Sequence, residues 1–436
     1  MIALRKAVLN FRICLVFVVA ALCAEGVSAQ ESRSVTAVKP DDLRQLWSTV
    51  VDPVLRQTIT GNEQGQNFGT TMMLPLYAAF RSRDEQAERA FSDHFSRMLT
   101  DYGALPQEDL GRLQYLYVAS QLMVLAKETR QQNLIPRTLP GTLYTDISRV
   151  WTKKPAWQWE RKPFPGGIRE RILWKLDNRR MAKNYYRSIN DVDLFVFAIA
   201  ADLKNFITDP AEIRVWTPTL DDILGIAHRT FTQEVAYEPG GGWLFQPGVW
   251  ADHPEFQYAG NRDIHPGMKP APMKDISGDS SHFLRYPLWL TSLMHAYPEN
   301  SENYRYYQQL RNGLEKQVFD KVLVKPSNDF PCYRMNNYMN GWNGVYRWNY
   351  ESIGPGGGFG PYGLSSSLLQ GWWVFLGSER IKNVYRDLDA SFPWSKQCIE
   401  IYLGPTTPKG HPDSAYDPNS PSMRLWHLNV KLASRL

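Results

Sequence analysis

Apolar positions along this chain recur mostly at helical spacing. Leu43, Leu46, Trp47, Val50 and Val54 fall on one face of an amphipathic helix, and the same period predicts helices over 73–80, 87–99 and 110–125. A further pair is predicted at 168–186 and 191–207, the second opening after Ser188, Ile189 and Asn190 and carrying an apolar run over 194–201. Thr219, Leu220, Asp221 and Asp222 have the form of a capping box with Asp in place of Glu, which predicts a helix from there to about Val235. Later helices are predicted at 281–296, 302–319, 364–376 and 378–388, with Gly377 dividing the last two.

Between the later helices lie three long stretches, 238–280, 325–362 and 404–423, rich in Gly, Pro, Trp and Asn. Long loops in a compact protein are usually functional or disordered, and aromatic content favours function. The second stretch concentrates Asn336, Asn337, Tyr338, Trp342, Tyr346, Arg347, Trp348, Tyr350 and Glu351. These side chains stack on sugar rings and bind hydroxyls or carboxylates, but they offer no phosphate cradle. Read as a strand, 344–351 puts Tyr346, Trp348 and Tyr350 on one face and Arg347, Asn349 and Glu351 on the other. The glycines from Gly358 to Gly363 match the dinucleotide fingerprint in form only, because no βαβ pattern surrounds them. The chain also lacks the Gly-x-Ser-x-Gly elbow of an esterase.

A second constellation spans Asp279, Ser280, Ser281, His282 and Arg285. Asp279 or a serine can cap the helix predicted to follow, which sets His282 in its first turn. Trp157 and Trp159, beside Gln158 and Arg161, and Trp243, beside a glycine run, have the make-up of sugar platforms or of packed turns. Asp252, His253, Arg262 and His265 share one loop, but their spacing matches no enclosed metal site, so no metal and no cofactor is expected.

Paired helices at intervals of about 40 residues, with aromatic loops between them, resemble the α/α toroid of many polysaccharide lyases and glycoside hydrolases. The resemblance implies a mainly α fold, with helical hairpins around a central cleft lined by long loops and short strands. It also implies that Asp279, Ser281 and His282, which match an Asp-x-Ser-His element at a helix start, belong to the cleft.

Arg5, Lys6 and Arg12 precede an apolar run over 13–22, and Val27, Ser28 and Ala29 have the spacing of a signal-peptidase site. Residues 1–29 therefore read as a signal peptide and 30–436 as one exported domain, periplasmic or secreted. Cleavage removes Cys14 and Cys23 and leaves Cys332 and Cys398, which can pair or stay as buried thiols. The formal charge of +5 falls to about +3, since the leader holds three basic residues against Glu25. That balance permits an acidic substrate, and with no basic block nucleic acid is not an expected partner. With 15 Trp and 22 Tyr the chain has more aromatics than core filling requires.

The favoured reading is a lyase that cleaves an acidic, uronate-containing polysaccharide by β-elimination. His282, Tyr338 or Tyr350 would serve as base and acid, and Asn337 and Arg347 would neutralise the carboxylate. Asp279, Glu351, Trp243, Trp342, Trp348, Asn336 and Arg285 would bind substrate. The alternatives are a glycoside hydrolase using Asp279 and Glu351 as paired carboxylates, and a non-catalytic polysaccharide-binding protein of the envelope.

Overall fold

The computed structural model describes residues 43–100 and 102–436. The leader and its cleavage site lie outside these residues. The chain folds mainly into helices: α1 Leu43–Arg56, α2 Asn62–Thr71, α3 Met73–Ser82, α4 Glu85–Thr100, α5 Asp109–Glu128, α6 Leu139–Ser148, α7 Gly167–Asp177, α8 Asp191–Phe206 and α9 Pro210–Glu234. They continue with α10 Ser280–Phe283, α11 Tyr286–His295, α12 Glu302–Gln317, α13 Ser366–Leu369, α14 Glu379–Ala390, α15 Lys396–Tyr402 and α16 Pro421–Ala433.

Burial separates these helices into two kinds. From Gly111 to Ala126 every side of α5 is buried, as is α8 from Asp193 to Leu203, and such helices belong in a core. By contrast α1, α4, α12 and α14 keep one polar face in solvent. Helix α8 packs between α5 and α11 and carries α9 on another side, while α11 also packs on α12. Helix α16 lies against α14, α13, α3 and α1, so the last described helix packs on the first. The close approach of α2 to α5 needs glycine, because a Cβ on Gly65 would sit 2.4 Å from the Gly111 carbonyl oxygen.

Several helix boundaries differ from those the periodicity predicts. Helix α9 starts nine residues before the Thr219 box, because Asp209 caps Ala211 and Glu212 with Pro210 in the first turn. Pro218 is accommodated inside it. The helix predicted over 168–186 stops at Asp177, where Asn178 turns extended and the polar run of residues 177–180 offers no apolar face. The one predicted over 281–296 divides into α10 and α11 around Arg285, with Pro287 opening the second. Gly371, at φ 80°, likewise separates α13 from the 3-10 turn Trp372–Leu376. The periodicity does not predict helices α2, α6, α15 and α16.

Residues of the loops 238–280 and 325–362 pack against one another. Two short antiparallel ribbons form there, β1 Val235–Tyr237 with β2 Trp243–Phe245, and β3 Leu323–Val324 with β4 Arg334–Met335. Ala251, Phe256, Ala259, Ile276, Tyr338, Tyr346, Phe359 and Leu364 form a small core of their own beneath these loops. The strand expected over 344–351 is absent: only Tyr346 bridges, to Phe359, and Arg347 and Asn349 take positive φ. Strand alternation therefore fails, and Tyr346 and Arg347 are both buried. A disulfide joins Cys332, between β3 and β4, to Cys398 on α15, with Cα atoms 5.9 Å apart.

Candidate functional site

Where the loops 238–280 and 325–362 meet the first turns of α5, α8, α10 and α11 lies a cavity whose wall includes Trp159, Asn190, Asp191, Gln246, Trp250, His253, Glu255, Asp279, His282, Tyr286 and Tyr350. Local capping places its central pair. Asp279 is the N-cap of α10: its Oδ1 accepts the backbone N–H of Ser281 at 3.1 Å and of His282 at 3.0 Å. Its other oxygen meets Nδ1 of His282 at 2.7 Å. The imidazole is thereby held in one orientation, with Nδ1–H donating to the carboxylate and Nε2 left for other partners.

Two neighbouring residues hold this loop in place. Ser280 N–H donates to the Asn337 carbonyl at 2.9 Å, and Asp279 bridges to Tyr338. The side chain of Asn337 is fully occupied, donating to the carbonyls of Gly344 and Gly360 at 2.8 Å and accepting from Leu364 N–H at 3.1 Å. The Tyr338 hydroxyl is wholly buried and donates to the Val345 carbonyl at 2.8 Å. Both residues thus support the backbone beneath Asp279 and stand apart from the cavity wall.

Arg347 is 2% exposed and donates to Glu255 Oε1 at 2.9 Å, while Tyr346 donates to Oε2 at 3.0 Å. Arg285 is likewise buried and donates to Asp191 at 2.6 Å. Arg347, expected to neutralise the substrate carboxylate, and Arg285, expected to bind substrate, are therefore both committed to protein carboxylates. Tyr350 does reach the wall, with His253 as a neighbouring ring at 6.2 Å between centroids. Of the aromatic candidates, Trp243 is a core residue donating to the Leu310 carbonyl, and Trp342 donates to that of Ala259. Trp348 and Asn336 are part-buried away from the cavity wall, and Asn336 donates to the Lys321 carbonyl. Glu351 is exposed and also off that wall, so it does not face Asp279 across the cavity.

Sequence reasoning gave little weight to His253 and none to Glu255, Asp191, Trp250 or Tyr286. His253 Nδ1 accepts the Glu255 backbone N–H at 3.2 Å, which places its proton on Nε2. Burial, outweighing the Glu255 charge, lowers its pKa, so His253 is a neutral hydrogen-bond donor near neutral pH. The other imidazole behaves oppositely. Burial alone would lower the pKa of His282, but the Asp279 carboxylate raises it above the ordinary value. Asp279 responds in kind: burial raises, yet His282, Ser281 and Arg347 bring its pKa far below the usual carboxylate range. Burial also raises the Tyr350 pKa, with Glu255 adding to the shift, so the phenol keeps its proton. The cavity thus offers an oriented acid–base imidazole, a neutral imidazole donor, a protonated phenol and indole faces. Comparison with family models, curated proteins and solved structures found no match for this chain.

Proposed function

We propose that this chain is an exported polysaccharide lyase acting on a uronate-containing polymer. The observation that carries the reading is the Asp279–His282 pair on the wall of an aromatic cavity that also holds Tyr350 and His253. In its neutral form His282 Nε2 takes the proton from the sugar carbon next to the carboxylate. The electron pair left behind forms the ring double bond as the glycosidic carbon–oxygen bond breaks. Tyr350 gives its proton to the departing oxygen. His253 Nε2–H donates to the carboxylate as charge builds on it, a role that a neutral donor fills without neutralising the base. Trp159 and Trp250 offer apolar faces to the sugar ring.

The same reading takes the helices as an α/α toroid with the cavity at its loop-bearing end. Supporting it are the unbroken packing from α5 through α8 to α11 and the return of α16 to α1 and α3. Export is supported by the leader-like start of the sequence and by the Cys332–Cys398 bridge, since disulfides persist in oxidising compartments.

Incubating the mature protein with uronate and neutral polysaccharides, while following unsaturated-uronate absorbance beside reducing ends, tests the assignment. A rise in both on an acidic polymer is the expected result. Reducing ends without absorbance would mark a hydrolase, and binding without either would mark a carrier.

A further inference from the structure

The aromatic wall does not end inside the cavity. Trp159 meets Trp157 edge-on at 4.9 Å, and Trp157 is 37% exposed, so indole surface continues onto the outside of the protein. Trp159 also meets Tyr185 at 5.2 Å, and Gln158 donates to the Tyr186 carbonyl at 2.8 Å. The loops preceding α7 and α8 therefore run side by side at this rim.

Both loops are basic on their open sides. Lys162 follows Trp159 by three residues, Lys183 precedes Tyr185 by two and Arg180 by five. A chain spans at most ~3.6 Å per residue, which keeps Lys162 and Lys183 within roughly 11 Å of the aromatic edge along the backbone. All three cations are exposed, and among the described residues none joins a carboxylate. Of the neighbouring acids, Asp252 accepts the backbone N–H groups of Asn184 and Tyr185, Asp177 pairs with Arg229, and Glu160 is exposed two residues before Lys162. Around the cavity, by contrast, Arg285, Arg347 and His282 each face a carboxylate. At the rim Lys162, Arg180 and Lys183 outnumber Glu160 and Asp252, whereas around the cavity three cationic groups face three carboxylates.

We infer that this aromatic and basic ridge binds the part of an acidic polysaccharide that extends beyond the cavity, and that it sets the preference for a polyanion. The inference rests on reading the cavity as a polysaccharide site. The indole faces would stack on sugar rings while the ammonium and guanidinium groups attract their carboxylates.

The test is direct binding, independent of turnover, of polygalacturonate, alginate and neutral dextran to the parent and to a Lys162→Ala, Arg180→Ala, Lys183→Ala variant. Loss of three exposed charge contacts should weaken binding of the acidic polymer by about tenfold and flatten its salt dependence, with melting temperature and dextran binding unchanged. Trp157→Ala, which removes only the outer indole, should weaken it by a few-fold. Affinity of the triple variant within twofold of the parent, or a parent that binds neither acidic polymer, overturns the inference. Salt-sensitive binding that the triple variant loses, in a protein that produces no unsaturated product, would sink the lyase and leave the ridge standing.

Discussion

His282 must be neutral if Nε2 is to take a proton, yet Asp279 holds its pKa above the ordinary histidine range. Turnover limited by this base should therefore climb with pH, along a limb whose midpoint lies above about 6.5. Asp279→Asn removes the carboxylate charge, so the limb should move to lower pH even as the rate falls through loss of orientation. His282→Ala should lower kcat by roughly 100-fold or more, the usual scale for a positioned acid or base. Glu351→Gln, an exposed change off the cavity wall, should leave the rate near that of the parent. A pH profile that does not respond to Asp279→Asn would remove His282 from the role of base.

The sequence shows helices where one apolar stripe faces a core, as over Leu43–Arg56 and Glu85–Thr100. They were misread where a stronger local device competes, as with Asp209 and Pro210 ahead of Thr219. The site followed the same rule. A cap is a local signal, so the Asp279–His282 pair could be read from four consecutive residues. Glu255 and Arg347 stand 92 positions apart, and nothing in either stretch says that they meet. Composition misled at Asn337 and Tyr338, whose polar atoms satisfy buried backbone instead of a ligand. Away from the cavity, α8 sets Asp202 among Ser120, Gln121 and Ser292 in the core. Burial raises the Asp202 pKa from 3.8 to about 7, offset only in part by the hydrogen bonds it accepts. Between those values the folded chain holds a proton that the unfolded chain has lost. The stability Asp202 contributes is thus full below about pH 4 and is lost as pH rises through about 7. Asp202→Asn should remove that decline, seen as a melting temperature that varies less from pH 4 to 7 than in the parent.

Over the whole chain, the reading as an exported protein makes its own prediction. Cleavage after Ala29 should give a mature protein beginning at Gln30, and amino-terminal sequencing that returned Met1 would reject it. The packing of α16 on α1 bears on how such a protein acquires its fold. Helix α1 precedes the other described helices, yet part of the surface that covers it is supplied by residues more than 350 positions later. Contacts of such long sequence separation form late, after much loop-closure entropy has been spent. Until the final helix arrives, α1 and α3 keep apolar faces that any other exposed chain could bind. Closure of the face shared by α1 and α3 therefore waits for α16, while the packing of α5, α8 and α11 does not depend on it.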